Sequence, residues 1–499
     1  MEVVKAMHTF LSFSYVIHMV AVLLTALYGL HRLVLLRRWV KLRRRKPEVL
    51  PRLSEHPMVT VQLPLYNEEA VAARLLESVG RLAWPKDRLE IQILDDSTDG
   101  TQAAVDLGTL SLQEQGFCVD VLRRSSRKGF KAGALAEGLE RCKGEFIAIF
   151  DADFIPPASF LEEMVPRFQK PEVGMVQGRW GFLNASDSVT TGVQALALSS
   201  HFDIEHATRH ARGCFFNFNG TAGVWRKTAI VEAGGWSADT LTEDLDLSYR
   251  AQLAGWKLDY HGACVAPSEL PPTLTDFVAQ QERWNKGSMQ TAVKILPRLL
   301  RANLPGKVKV EALFHLLAGL GWLAGALATI TLWPALVILG EGGSVLAWLP
   351  GVAVLTGSCG ALIFYYLVYA SLEPRCRGLK RYILFLPLVC IGVAPFLARS
   401  ILSGLVSRKG VFHRTPKYGG KTKKTVIKSE RPLKMAWVAF FLFWVTLLPL
   451  TATETLSAFA LPLASSIPMG YLFTAALLAR EGGAPHRMRA IFSSLFIPS

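Results

Sequence analysis

The chain has 499 residues, too many for one globular core of about 100 to 200 residues, so at least two structural units are expected. Hydrophobic residues make up 51% and charged residues 19%, with a mean hydropathy of +0.28, which excludes a disordered or highly solvated protein and favours membrane spans. The net charge of +15 admits nucleic acid, anionic lipid or phosphorylated ligands, and its placement along the chain decides among them.

From Phe10 to Leu36 there is no acid and one strong base, Arg32. At about 1.5 Å per helical residue this run crosses a hydrocarbon core of about 30 Å, so residues 1–37 are expected to form a transmembrane helix. A cleaved signal peptide does not fit: the run exceeds an h-region of about 7 to 15 residues, and bases follow where the cleavage site should lie. Those bases, Arg37, Arg38, Lys41, Arg43, Arg44, Arg45 and Lys46, put the juxtamembrane linker 38–57 in the cytosol and the amino terminus outside. Residues 58–285, with short β-branched runs alternating with helical patterns, are expected to form a soluble cytosolic α/β domain with a mostly parallel sheet. The segment 286–309 scatters bases among leucines and is expected to form amphipathic helices at the membrane surface.

Apolar runs return across 310–481, at Val310–Leu339, Val345–Ser371, Tyr382–Val406 and Met435–Leu478. Bases flank the third run on both sides, and Pro387, Gly392 and Pro395 interrupt it, so segment 382–407 is expected to re-enter or lie in the interface rather than cross. Residues 408–434 and the tail 482–499, with Arg487 and Arg489, then fall in the cytosol. These flanks account for the basic excess, and no zinc-finger, RNA-binding or helix-turn-helix signature recruits it, so nucleic acid is not expected as a partner. The seven cysteines are scattered and form no C-x-x-C, the pattern of reduced, buried thiols.

Three strand-like runs in the soluble domain each end in polar residues: VTVQLPLYNEE from Val59, then Ile91–Leu94 into Asp95-Asp96-Ser97, and Phe146–Phe150 into Asp151-Ala152-Asp153. Parallel sheets bind ligands beyond the carboxyl ends of their strands. Asp151 and Asp153 are spaced to share one hard cation, Mg2+ or Mn2+, whose remaining ligands would be diphosphate and water. No P-loop and no G-x-G-x-x-G is present, which removes the P-loop ATPase and the usual dinucleotide fold. Thr242-Glu243-Asp244 supplies a general-base candidate, Asp244, for an attacking hydroxyl. Gln280, Arg283 and Trp284 share one helix face, where a guanidinium suits a diphosphate and an indole suits a sugar.

In order, the strings LPLYNEE, LDDSTDGT, KAGAL, IFDADF, VQGRW, FFNFNGTAGVWR, TEDLDLSYRA and QQERW resemble the membrane-type family 2 glycosyltransferases. That family includes cellulose synthase, hyaluronan synthase and the plant cellulose-synthase-like mannan synthases, and the likeness is greatest to the last group. The resemblance implies a GT-A-like domain inserted between transmembrane helices. It further implies that Tyr66, Glu68, Asp96, Lys131, Asp151, Gln280 and Arg283 hold the nucleotide sugar, that Asp153 holds the metal and that Asp244 is the base. Trp284 and Glu243 would hold the acceptor. Phe412, Thr415 and Lys417 in FHRTPK look like the gating loop of cellulose synthase, with Arg414 where the family carries Val.

The expected activity is therefore inverting, metal-dependent transfer of a hexose from UDP-glucose or GDP-mannose to a growing β-linked polysaccharide, with export through the protein's own helices. The alternatives are a non-processive enzyme that glycosylates a membrane lipid, diacylglycerol or ceramide, and a catalytically silent scaffold. The expected partners are the nucleotide-sugar donor, a glycan or lipid acceptor and membrane lipids; no protein partner is read. The expected location is the plasma (inner) membrane. Nothing in the sequence separates a glucose from a mannose pocket.

Overall fold

The β-branched runs form a seven-stranded sheet made of β1 (Val59–Leu65), β2 (Leu89–Asp95), β3 (Cys118–Leu122), β4 (Phe146–Ile149), β5 (Val173–Phe182), β6 (Gly223–Arg226) and β7 (Lys257–Ser268). Its spatial order is β3-β2-β1-β4-β6-β5-β7. All neighbours are parallel except that β6 runs antiparallel to β4 and to β5. The computed structural model describes residues 1–44, 53–332, 334–335, 360–407, 410, 414–419, 431–452 and 461–481. This is the mostly parallel sheet expected from the strand pattern, in keeping with the GT-A-like domain that the resemblance implies.

Helices cover both faces of the sheet, so the central strands are buried on both sides. Phe146 and Ala148 of β4 pack with Val59, Val61 and Leu63 of β1 against Leu75 and Leu76 of helix Glu69–Val79. Ile147 and Ile149 point the other way, onto Leu135 and Leu139 of helix Phe130–Arg141. Polar groups inside this sheet are paired: at the Gln62↔Gln92 register the Gln62 amide donates to Gln92 Oε1 at 2.9 Å. The polar ends of β1, β2, β4 and β7 open on the same edge, as parallel order requires.

The expected break between a catalytic domain ending at 285 and separate interface helices at 286–309 is absent. One helix, Leu274–Arg301, runs through it, capped by Thr273, whose side chain accepts from Asp276 N. No proline falls between Gln280 and Leu296, the helix tolerates Gly287, and Pro297 comes too late to divide it. Within segment 382–407, Phe385–Val406 is one unbroken helix of 22 residues, long and apolar enough to cross a membrane. Pro387 lies in its first turn, where the missing N–H costs nothing, and the helix tolerates Pro395 inside it. The bend occurs instead between Gly306–Leu316 and Leu320–Ile330, which meet at 56°. With Glu2–Leu42, the described residues hold two helices long and apolar enough to span, or three if the bent pair counts as one. Expectations for 345–359, 420–430 and 482–499 fall outside the described residues.

Two glycines bring the long helix Leu274–Arg301 against its neighbours. A Cβ on Gly287 would meet Thr242 Cγ2 at 2.7 Å and Thr242 N at 2.9 Å, so the helix rests directly on the chain that leads into Glu243 and Asp244. A Cβ on Gly404, in the apolar helix, would meet Lys286 O at 2.6 Å. Gly287→Val should therefore push the Thr242 backbone aside and cost about 1–3 kcal/mol, read as a lower melting temperature in detergent, whereas the same change at exposed Gly378 should cost little.

Candidate active site

The loop between Phe218 and β6 carries the centre of the site. Gly220 has φ +81°, a left-handed conformation that glycine adopts without strain. A Cβ there would stand 3.0 Å from Asp244 Oδ2 and 3.6 Å from Lys131 Nζ. The Gly220 carbonyl accepts from Lys131 Nζ at 2.8 Å, and the same ammonium is paired with Asp151. The next residue, Thr221, accepts from Asp151 N at 2.8 Å through Oγ1. A single turn of chain thus fixes Lys131, Asp151 and Asp244 relative to one another.

Asp244 opens helix Glu243–Leu253, and Leu245 N donates to its Oδ1 at 2.8 Å. Desolvation, reinforced by neighbouring Glu243, pushes the Asp244 carboxyl up to about 7, against the pull of the Leu245 N–H, Lys131 and Arg283. Burial alone would lower Lys131, but Asp151, Glu243 and Asp244 hold it above its ordinary value. Arg283 is lowered by burial and opposed by Glu243, Asp151 and Asp244. Lys131, Asp151, Glu243, Asp244 and Arg283 therefore share one electrostatic cluster. Trp284, the next residue on the same helix, sits with its ring 6.5 Å from that of Trp180 in β5, while Gln280 is buried one turn earlier.

Asp153 faces a second cluster. Its Oδ2 accepts from Glu269 N at 3.1 Å and from Lys417 Nζ at 2.7 Å. Lys417 also donates to Glu269 O at 3.1 Å, and Arg414 donates to Glu68 Oε2 at 2.5 Å. Thr415 is buried between them, whereas Phe412 lies outside the described residues. Glu269 holds the loop further through Tyr418 N at 3.3 Å and Gly419 N at 3.1 Å, and is itself paired with Arg74 at 2.8 Å. Glu269 was missed in the sequence, although it follows β7 and obeys the same strand-end rule that singled out Asp96 and Asp151. The two prolines after it make the stretch read as a plain turn.

Tyr66 and Asp96 form a third cluster at the ends of β1 and β2. Arg124 forks onto the Asp96 carboxylate, with Nε at 2.9 Å from Oδ1, and the Arg127 guanidinium lies 3.1 Å from the Tyr66 ring centroid. Arg127 Nε is also 4.0 Å from Asp96 Oδ2, which ties the two together. The non-glycine residues with positive φ among the described residues are Asn67 and Ala222, in loops, and Phe130, at the first position of helix Phe130–Arg141, where such strain of about 1–3 kcal/mol each is held by the surrounding structure.

Asp151 and Asp153 are donors of the kind a hard divalent cation takes, each paired here with its own ammonium, Lys131 and Lys417. Asp151 and Asp153 offer carboxylate oxygens, and the described residues hold no group of three or more His, Cys, Asp and Glu able to form a closed cage. Two carboxylates leave the rest of the shell to diphosphate and water, the usual habit of Mg2+. An ammonium, that of Lys417, already rests on Asp153, so this carboxylate is placed to receive positive charge.

Desolvation pushes Glu68 up to about 8, outweighing Arg414, with Asp153 raising it further. Its folded value exceeds its ordinary value of 4.5, so the stability it contributes is complete below about 4.5 and is lost as pH rises through about 8. Glu68→Gln keeps an acceptor for Arg414 and should flatten the fall in melting temperature between those pH values.

Residues 56–287 match the family described as "Glycosyltransferase like family 2". A probable glucomannan 4-beta-mannosyltransferase 7 of Oryza sativa subsp. japonica is 47% identical over 256 residues, covering 50% of this chain and 43% of the relative. The glucomannan 4-beta-mannosyltransferase 1 of Cyamopsis tetragonoloba is 41% identical over 258 residues, covering 50% and 49% respectively. The match thus spans about half the length of these relatives. A mannosyltransferase of Pyrobaculum calidifontis, solved with GDP-Man and Mn2+, shares the fold at a TM-score of 0.55 and 20% identity, over 78% of this chain and 99% of that one. Residues 56–287 thus match a family 2 glycosyltransferase domain and are similar in sequence to the glucomannan mannosyltransferases.

Proposed function

We propose that this protein transfers a hexose from a nucleotide-diphosphate sugar to the growing end of a β-linked polysaccharide, by metal-dependent inversion, and passes the polymer outward between its own apolar helices. The observation that carries this reading is the half-buried Asp244 carboxyl under Gly220, beside Lys131 and Arg283. The acceptor hydroxyl attacks the anomeric carbon on the face opposite the diphosphate. As the new C–O bond forms, Asp244 takes the hydroxyl proton and the bond from the anomeric carbon to the phosphate oxygen breaks. Lys131 and Arg283 receive the charge that develops on the departing nucleoside diphosphate. One displacement with one base inverts the anomeric centre, so an α-linked donor yields a β-linked product.

When bound at Asp153 and Asp151, Mg2+ or Mn2+ supplies further neutralisation of the diphosphate. Tyr66, Asp96 and Glu68, at the ends of β1 and β2, serve the nucleotide side, with Gln280 backing Arg283. Trp284 offers its ring to the acceptor sugar, with Glu243 on the same side. The relatives named as mannosyltransferases favour a mannosyl donor, GDP-mannose, over UDP-glucose. A polymer rather than a lipid glycoside is favoured because the site helix touches the apolar helix Phe385–Val406 directly at Gly404, so a chain leaving Trp284 meets the helices at once. The catalytic domain lies on the cytosolic side, with the helices in the plasma membrane.

Asp244→Asn should lower transfer about a hundred- to ten-thousand-fold and leave nucleotide affinity within about twofold, measured by calorimetry beside a labelled-donor assay. Because the base must be ionised and its carboxyl lies at about 7, kcat should rise with pH up to about 7 and then level. Sizing the labelled product of the purified enzyme, with GDP-mannose and UDP-glucose offered separately, should show polymer; a chloroform-soluble monoglycoside with no polymer contradicts the reading.

A further inference from the structure

Behind the Gly220 loop lies a polar chain that the transfer chemistry does not use. Residues His201–His206 form a π-helical turn at the end of helix Val189–Ser200, a form that recurs at functional sites. His206 Nε2 is 3.0 Å from Asn217 O and 2.7 Å from Asn219 Oδ1. Both partners accept, so this nitrogen carries the proton, and the Asn219 amide is oriented with its oxygen towards His206. The Asn219 Nδ2 then donates to His201 Nε2 at 3.3 Å. That leaves the His201 proton on Nδ1, which faces Glu205 Oε2 at 3.3 Å. Glu205 Oε1 is paired with Arg32 at 3.0 Å, the one strong base in the Phe10–Leu36 stretch of the amino-terminal helix Glu2–Leu42. The guanidinium of Arg32 also lies over the Tyr365 ring at 5.5 Å.

The sequence of contacts runs without a gap from that helix to the site. Arg32 holds Glu205, Glu205 orients His201, His201 and His206 fix the Asn219 amide, and Asn219 precedes the glycine that sits against Asp244 and accepts from Lys131. The backbone N–H of Asn219 is held as well, by Gln177 Oε1 at 2.9 Å. We propose that Arg32, Glu205 and His201 are positioning residues for glycosyl transfer, which set the Asn219–Gly220 turn and through it the placing of Asp244 and Lys131. The amino-terminal helix then contributes to the chemistry and not only to membrane attachment. Glu205 keeps Arg209 as a second partner at 3.3 Å, so removal of Arg32 loosens the relay without stranding a buried carboxylate.

The kinetic arm of the test rests on the transfer reaction proposed above; a second arm does not. In the full chain in lipid nanodiscs, Arg32→Lys retains a cation for Glu205 and Arg32→Met does not. His201→Gln places an amide oxygen near the position of Nε2, whereas the shorter His201→Asn does not reach Asn219. Arg32→Met and His201→Asn should lose tenfold or more in kcat, with GDP affinity, which Lys131 shares with Arg283, falling by a clearly smaller factor, and Arg32→Lys and His201→Gln should keep at least a third of kcat. Amide hydrogen exchange over residues 217–222 should speed up tenfold or more in Arg32→Met and His201→Asn alone. Equal kcat in all four variants, loss of GDP affinity in step with kcat, or unchanged exchange in all four would overturn the proposal. If the wild type turns over no donor, the transfer reading fails while the exchange arm still decides the relay.

Discussion

Everything in the catalytic domain is arranged around one ammonium. Lys131 is drawn out of bulk water and kept charged by the Asp151 carboxylate and the Gly220 carbonyl, with Glu243 and Asp244 beside them, and an ion in that position is tolerable only while such partners surround it. The requirement dictates the rest. The Gly220 turn has to be left-handed and free of a side chain, Thr221 has to tie down the Asp151 backbone, and β6 has to run antiparallel beside β4 so that the turn returns to the edge where β4 ends. Asp244, placed under the same turn, takes its raised carboxyl from this enclosure.

The loop 414–419 meets the second carboxylate of the pair in a complementary way. With Lys417 on Asp153, Arg414 on Glu68, and two N–H groups on Glu269, cationic side chains lie on the acidic edge where a diphosphate-bound cation would bring its own positive charge. The same side chains, once a diphosphate arrives, are of the right sign to turn from carboxylate to phosphate. The arginine at position 414, a departure from the pattern of the family's gating loop, thus has a partner in the first strand-end motif of the chain.

The strands and the polar residues at their ends were legible because short β-branched apolar runs and the carboxyl-end rule are local signals. Asp96, Asp151 and Asp153 follow from them, and Asp244 and Arg283 follow from charge chemistry on helices. What the sequence hid depends on distance in the chain. Glu269 looks like a turn before two prolines until β7 is seen to end on the same edge. The pairings of Glu68 with Arg414 and of Asp153 with Lys417 join residues more than two hundred positions apart. The π-helical turn at 201–206 reads in sequence as ordinary buried helix, since one extra residue in a turn leaves no compositional trace. The continuity of the apolar helix Phe385–Val406 was hidden because the cost of its prolines depends on their position within the helix and not on their type alone.

The most direct test is a structure of the full chain in lipid with GDP and Mn2+ bound. The account predicts the diphosphate between Lys131 and Arg283, the ion on Asp153 with Lys417 moved off that carboxylate, and Asp244 unligated on the far side of Gly220. A nucleotide seated elsewhere, or Asp244 itself coordinating the ion, would contradict it.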